Sequence, residues 1–205
     1  MGSGLRFVEA RGRVIMHKAY LDEIVRLIYG SEIYKGEDRI ENWEDAFGQV
    51  VSMFLDTRRK QKRLFFCGNG GSAAIASHMT ADFMKNGRIH TVSMYDGALL
   101  TCMGNDYGYK SVFSEPLKYL VEAGDLLVVI SSSGNSENIV NAIQAAKEKG
   151  ADIVTFTGFL PDNKVKHMGT YNIYVPSLKY GMVESVHNLL LQQIVDELMD
   201  YSLES

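Results

Sequence analysis

The stretch Leu126-Leu127-Val128-Val129-Ile130-Ser131-Ser132-Ser133-Gly134-Asn135-Ser136 decides the fold. Five apolar residues in a row are typical of a parallel strand that is buried on both faces. The polar segment 131–136 contains four serines, and a helical pattern begins directly after it. A strand, a polar loop and a helix in this order form the unit from which open α/β sheets are built.

The same alternation of short apolar runs and helical stretches continues on both sides of this unit. Strands are predicted at 64–67, 90–94, 126–130, 153–156 and 172–175. Helices are predicted between them at 72–86, 108–122, 136–149 and 182–201, and ahead of them at 17–35 and 39–60. The pattern predicts a three-layer α/β/α fold with a five-stranded parallel sheet. We expect the two leading helices to pair with each other or with a second subunit.

Composition narrows the class of protein. The chain has 205 residues, 46% of them hydrophobic and 22% charged, which is typical of a soluble globular protein. Its net charge of −4 argues against a nucleic-acid partner, and no apolar run reaches the roughly 18 residues of a membrane span. Two cysteines are too few for a disulfide scaffold, so a cytoplasmic location is expected.

The domain boundary is predicted near residue 16. We assign residues 1–15 to a tag or a disordered extension, and 16–205 to a single domain that includes the leading helices. A short ordered extension that packs on a partner subunit is the alternative for the first segment.

A second glycine-rich loop follows the first predicted strand of the sheet. Gly68-Asn69-Gly70-Gly71-Ser72 opens a helix, and a helix N-terminus offers free N–H groups to an anion. The loop lacks the Gly-Lys-Ser/Thr ending of a Walker loop and the glycine spacing of a dinucleotide site, so no nucleotide cofactor is expected. A tight turn with a serine cap is the alternative.

Both loops follow strands, where open α/β sheets bind their ligands. Segment 131–136 holds more hydroxyl groups than a single helix cap needs, although an N-cap is the simpler interpretation. Together the loops suggest a phosphate pocket made of hydroxyls and amides, without a lysine. Such a pocket suits the phosphomonoester of a small polyol.

These two loops, in this order, resemble the sugar isomerase (SIS) domain family. Four further features make the chain similar to the phosphoheptose isomerase branch: His78, Gly-Asn-Asp-Tyr-Gly at 104–108, Ala-Ala-Lys-Glu-Lys-Gly at 145–150 and Thr-Phe-Thr-Gly at 155–158. The resemblance covers roughly residues 17 to 200.

The resemblance implies a function and an assembly. Members of this branch are homotetramers with active sites between subunits. They convert sedoheptulose 7-phosphate to a glycero-manno-heptose 7-phosphate, through an enediol that requires a base and an acid. This is the first step of heptose biosynthesis for surface glycans. The substrate-binding residues implied here are Asn69, Gly70, Gly71, Ser72, Asp106, Ser131, Ser132, Ser133, Asn135 and Ser136.

The acid–base residues depart from the family. Where the family has a His and a Glu four residues apart, this chain has His78 and Asp82, a spacing that puts both on one helix face. Where the family has a Gln and a catalytic His on the last helix, this chain has Glu184 and Gln192. Gln192 cannot transfer a proton at neutral pH.

The catalytic candidates are therefore Asp82, Glu184, Gln192 and His187. Asp82 or Glu184 is expected to be the proton-transfer carboxylate. His187 could replace the missing His only if its helix rotated by roughly a third of a turn. A hydrogen-bonded core histidine is the alternative for His78, and a solvated helix face is the alternative for the stripe of Glu184, Asn188 and Gln192.

The resemblance also implies a candidate metal site, and it leaves one alternative function open. Some family members bind zinc, and His78, Asp82, Glu184 and Gln192 are ligand types for zinc or another divalent metal. The rival to an isomerase is a non-catalytic phosphosugar sensor or adaptor, such as relatives that associate with the replication initiator. Those relatives have small or neutral acid–base residues, so Asp82 and Glu184 favour the enzyme.

Overall fold

The protein is described by a computed structural model that covers residues 17–203. The helices are α1 (His17–Tyr29), α2 (Trp43–Arg59), α3 (Gly71–Lys85), α4 (Gly97–Tyr107), α5 (Ser114–Leu120), α6 (Glu137–Glu148) and α7 (Tyr180–Leu203). The strands are β1 (Glu32–Lys35), β2 (Asp38–Ile40), β3 (Arg63–Gly68), β4 (His90–Val92), β5 (Leu126–Ser131), β6 (Asp152–Gly158) and β7 (Tyr171–Val175).

The strands form one sheet in the order β2-β1-β7-β6-β5-β3-β4. Strands β3 to β7 are mutually parallel, so the predicted five-stranded parallel sheet is confirmed. Its central strands carry apolar side chains to both faces: Leu64 packs into the core on one side and Phe65 into the core on the other. This double burial explains why these strands read as continuous apolar runs.

The sheet also contains two strands that the sequence pattern did not predict. The expected helix at 17–35 ends at Tyr29, and β1 and β2 form an antiparallel hairpin that pairs with β7. Gly36 turns this hairpin with a φ of +62°, a conformation that glycine adopts without steric cost. The prediction of one continuous helix was wrong because the helical apolar spacing ends at Ile28, and β1 is formed by long-range pairing with β7.

A second correction concerns residues 97–122. Helix α4 was not predicted, although Asp96 caps it by accepting a hydrogen bond from the backbone N–H of Leu99 at 2.9 Å. The expected helix at 108–122 is instead a short 3₁₀ turn (Tyr109–Ser111) followed by α5. Gly108, at a φ of +79°, separates α4 from this turn.

The helices complete three layers. Helices α2, α3 and α7 cover one face of the sheet, and α5 and α6 cover the other. Both leading helices pack against α7, and their use in oligomerisation stays a prediction. None of the helices within residues 17–203 combines the length and apolar character needed to cross a membrane. The predicted extension at 1–15 lies outside the described residues.

Candidate active site

A cavity of about 410 Å³ opens where β3 and β5 end. The two strands are parallel neighbours, with Gly68 paired to Ile130, so the loops that follow them meet at one edge of the sheet. The cavity is lined by Asn69, Gly70, Gly71, Ser72, Ile130, Ser131, Ser132, Ser133, Ser136, Tyr180 and Glu184. The sequence-predicted loops therefore share a single pocket.

Helices α3 and α6 start at this cavity, and neither N-terminus has a side-chain cap. Gly70 precedes α3 and Ser136 precedes α6, and neither makes a side-chain capping hydrogen bond. The interpretation of the serine loop as an ordinary N-cap is therefore wrong for Ser136. Uncapped N–H groups at two helix N-termini provide donors and a positive dipole end for an anion.

One serine hydroxyl in the cavity needs a partner. Ser132 is only 4% exposed, and its Oγ has no hydrogen-bond partner within the described part of the chain. A buried hydroxyl without a partner is destabilising by about 1–3 kcal/mol. The residue lines the cavity, so this hydroxyl lies next to the space where a ligand would bind.

The serine loop is held in place by Gly134 and Asn163. Gly134 has a φ of +60°, and a Cβ atom there would overlap the side-chain amide of Asn163. Asn163 Nδ2 donates to the carbonyl of Leu160 at 2.9 Å, and its Oδ1 accepts from the backbone N–H of Lys166 at 3.0 Å. The loop after β5 is thus seated directly on the segment after β6.

An amide pair joins the two loops of the cavity. Asn69 Nδ2 donates to Asn138 Oδ1, and Asn138 Nδ2 donates to Asn69 Oδ1, each at 2.9 Å. The hydroxyl of Tyr109 also donates to Asn69 Oδ1, at 2.8 Å. Asn69 lines the cavity, and its side-chain amide also links the loop after β3 to α6. Its contact with sugar hydroxyls stays a prediction. The contributions of Asn138 and Tyr109 were not predicted, because they depend on contacts between segments that are far apart in the chain.

Glu184 brings a carboxylate into the cavity. It lies on the second turn of α7, and its side chain packs directly over Gly71. A Cβ atom on residue 71 would lie 2.5 Å from Glu184 Oε2. The carboxylate therefore occupies the N-terminal turn of α3, where the helix dipole favours a negative charge.

His78 and Asp82 lie within hydrogen-bonding distance of each other, outside the cavity lining. His78 Nε2 lies 3.0 Å from Asp82 Oδ2, as the four-residue spacing on α3 predicts. The His78 side chain is 56% exposed, so the alternative of a core histidine is wrong. Asp82 is half-buried beside it and does not line the described cavity.

His187 is held away from the cavity. It is completely buried, and its Nε2 donates to the carbonyl of Thr157 at 3.0 Å. Burial lowers the pKa of His187 to about 4, against the opposing effect of this hydrogen bond, so the imidazole is neutral at pH 7. The helix rotation that would bring it into the site is not observed. Gln192 is half-buried on α7, two turns beyond Glu184.

Two other predicted substrate contacts lie off the cavity. Asp106 is exposed on α4, and its Oδ1 accepts a hydrogen bond from Asn105 Nδ2 at 2.8 Å. Asn135 braces the serine loop: its Nδ2 donates to the carbonyl of Ser133 at 3.0 Å, and its Oδ1 accepts from the backbone N–H of Lys164 at 3.2 Å. Asn135 thus acts on the shape of the loop.

The donors expected for a metal do not form a complete set. Within residues 17–203 no three His, Cys, Asp or Glu side chains lie close enough together to hold a metal ion. His78 and Asp82 are adjacent, whereas Glu184 packs at Gly71, two turns earlier on α3. The metal site of His78, Asp82, Glu184 and Gln192 stays a prediction, and no chemical step is derived from it.

Two lining residues were not among the predicted site residues: Ile130, near the end of β5, and the aromatic Tyr180. Tyr180 lies four residues before Glu184, so the two side chains share a face of α7. That spacing was available in the sequence. Its ring contacts Phe159 edge to face, with ring centroids 4.7 Å apart.

Comparison with known proteins indicates the same family as the sequence motifs. The family model of the SIS domain matches residues 29–158. The phosphoheptose isomerase of Akkermansia muciniphila is 36% identical over 158 residues, which are 74% of this chain and 82% of that protein. The phosphoheptose isomerase of Sulfurimonas denitrificans is 33% identical over 187 residues, which are 87% of this chain and 93% of that protein.

Solved structures agree with the sequence relatives. The phosphoheptose isomerase from Neisseria gonorrhoeae superposes with a TM-score of 0.77 at 31% identity, over 89% of this chain and 97% of that one. The family model, the curated relatives and the solved structure all identify the same family. The chain therefore belongs to the SIS domain family and, within it, to the phosphoheptose isomerase branch.

Proposed function

We propose that this protein is an aldose–ketose isomerase that interconverts sedoheptulose 7-phosphate and a glycero-manno-heptose 7-phosphate. The observation that carries the proposal is the cavity, which combines a phosphate-type wall with a carboxylate. Five serines and two helix N-termini without side-chain caps meet at this cavity, and the Glu184 carboxylate lies against the first turn of α3. The substrate follows from the phosphoheptose isomerases to which the chain is similar.

The serine loops bind the phosphate in this proposal. Ser72, Ser131, Ser132, Ser133 and Ser136 line the cavity together. Hydrogen bonds to a charged group contribute about 1.5–3 kcal/mol each, so a few of them anchor a phosphomonoester without a lysine. The buried Ser132 hydroxyl gains the partner that it lacks within residues 17–203.

Glu184 is the proton-transfer carboxylate in this proposal, because of the two candidates it is the one that lines the cavity. The carboxylate takes a proton from C1 of the ketose while the C2 carbonyl oxygen gains a proton, which gives a 1,2-enediol. Return of a proton to C2, with loss of the proton on the C1 hydroxyl, gives the aldose. No proton or electron is gained or lost overall.

Replacement of Glu184 by Gln tests this role. The amide keeps the size of the side chain but cannot accept a proton from carbon, so we expect turnover to fall by about 100-fold or more. Binding of inorganic phosphate, measured by calorimetry, is expected to change less than threefold. Asn188→Ala, one turn further along α7, is the matched control and is expected to keep most of the activity. Full activity in the Glu184→Gln variant would remove Glu184 from the chemistry.

The assembly and location of the enzyme are also proposals. We infer a homo-oligomer, with a tetramer as the expected form, because Leu21 and Val25 on α1 are more than half exposed and α4 has no buried residue. We place the protein in the cytoplasm, a location supported by the free thiols of Cys67 and Cys102. Light scattering that gives the mass of a single chain would contradict the oligomer.

A further inference from the structure

Tyr180 gives the cavity an aromatic surface, which the serine loops and Glu184 do not provide. Among the described lining residues it is the aromatic one, and the others are glycines, serines, Asn69, Ile130 and Glu184. It is the first residue of α7, and 62% of it is exposed toward solvent. The ring lines the same cavity as the serine loops and Glu184, and it offers an apolar face to the carbon chain of a phosphosugar.

Phe159 fixes the position of that ring. Its φ of 57° lies in the left-handed region, which a bulky residue rarely adopts. Two hydrogen bonds hold it there: its N–H donates to the carbonyl of Ser177 at 3.0 Å, and the hydroxyl of Tyr174 donates to its carbonyl at 2.8 Å. Strained residues that are held from several sides cluster at functional sites.

The strained residue is also connected to the phosphate wall. Gly158, directly before Phe159, donates its N–H to the carbonyl of Ser132 at 3.1 Å. The edge-to-face contact of Phe159 with Tyr180, at 4.7 Å and 75°, then sets the Tyr180 ring at a fixed place relative to the serine loop. A short path of direct contacts therefore joins the anion site to the ring.

We propose that Tyr180 positions the polyol chain of the phosphosugar, and that Phe159 is a positioning residue that acts through the Tyr180 ring. The ring packs against C–H groups of the chain, and the phenol hydrogen-bonds to one of its hydroxyls. The inference rests on the proposed function, because it takes a phosphorylated polyol as the ligand. It predicts that Tyr180 distinguishes a phosphosugar from phosphate alone.

The test compares two ligands by calorimetry, inorganic phosphate and sedoheptulose 7-phosphate. In Tyr180→Ala we expect the phosphosugar Kd to rise by about tenfold or more, the size expected for loss of a ring-sized apolar contact. The Kd of inorganic phosphate is expected to stay within twofold. Tyr180→Phe keeps the ring and is expected to lose only the contribution of the hydroxyl, about threefold to tenfold.

Phe159 is tested by the same ratio of Kd values. Phe159→Leu is expected to weaken phosphosugar binding in the same direction, and Phe159→Tyr, which keeps a ring, is expected to restore it. An equal loss for both ligands in Tyr180→Ala, or no loss for either, would overturn the proposal. So would a wild-type protein that binds phosphosugar no more tightly than phosphate. Binding of the phosphosugar without turnover would contradict the isomerase function. The role of Tyr180 in binding would then still be decided by the Kd values.

Discussion

At the scale of single residues, the site depends on a glycine as much as on a carboxylate. Glu184 occupies the N-terminal turn of α3 because residue 71 has no side chain. The backbone of Gly71 is ordinary helix, so the glycine is required by its neighbour and not by its own φ. Any larger residue at 71 must push the carboxylate aside.

Gly71→Ala is therefore expected to separate activity from stability. The added Cβ would lie 2.5 Å from Glu184 Oε2, at the end of a flexible side chain that can move without disturbing the fold. We expect turnover to fall by about tenfold or more, and the thermal midpoint to stay near that of the wild type. Gly48→Ala in α2, where a Cβ would meet nothing within 4 Å, is the control and should keep full activity. Wild-type turnover in Gly71→Ala would mean that the position of the carboxylate is unimportant.

His187 shows how a residue that could carry chemistry is used for packing instead. Its ring lies 5.6 Å from that of Phe156, centroid to centroid, and its Nε2 bonds to the Thr157 carbonyl. Sequence spacing placed it one turn from Glu184, but the rotation of α7 about its axis is set by packing against the sheet. That rotation cannot be read from a single helix.

Stability should depend on pH through His187. Burial lowers its pKa from 6.5 to about 4, so the unfolded chain binds the proton more readily than the folded one between these values. The stabilising contribution is complete above pH 6.5 and is lost as the pH falls toward 4. Urea unfolding at pH 7 and pH 5 should show a loss on the order of 1–2 kcal/mol that His187→Gln lacks. The exposed His90→Gln variant should keep the wild-type dependence, and an unchanged dependence in His187→Gln would contradict this account.

At the scale of elements, each of the two loops after β3 and β5 is connected to other segments by hydrogen bonds or close contacts. The amide pair of Asn69 and Asn138 joins them to each other. Gly134 and Asn163 seat the serine loop on the segment after β6. The shape of the anion site is thus set before a ligand arrives, which lowers the entropy lost on binding.

Gly134→Ala should damage the loop and the fold together. It places a side chain at a φ of +60° and against the Asn163 amide, so both strain and overlap oppose folding. Gly36→Ala has a similar φ, +62°, but meets nothing within 4 Å. We expect about 1 kcal/mol of destabilisation for Gly36→Ala, clearly more for Gly134→Ala, and weaker phosphate binding only for Gly134→Ala. Equal destabilisation of the two variants would show that the Asn163 contact is unimportant.

The elements also show what a sequence can predict. Strands β3, β5, β6 and β7 were predicted because buried parallel strands leave an unmistakable apolar run. Helix α4 was missed because no residue in it is buried within the chain, so it has no amphipathic period to detect. The hairpin β1–β2 was missed because its pairing with β7 is a long-range contact.

At the scale of the whole molecule, topology creates the site. Parallel strands β3 and β5 are neighbours in the sheet although α3, β4, α4 and α5 lie between them in the chain. Their carboxyl ends therefore bring residues about sixty positions apart in the sequence into one cavity. The phosphate loops were predictable because their chemistry is local, whereas Tyr180 and the placement of His78, Asp82 and Asp106 depend on tertiary packing.

The proposed reaction moves a proton between C1 and C2 of a heptose phosphate. It is tested most directly by incubating the wild-type protein with sedoheptulose 7-phosphate in heavy water and following the products by NMR. The account predicts that an aldoheptose 7-phosphate appears and that it carries deuterium at C2, because the enediol is reprotonated by a group that exchanges with solvent. Tight binding of the phosphosugar, with no aldose formed and no hydrogen exchanged at C1, would contradict the account.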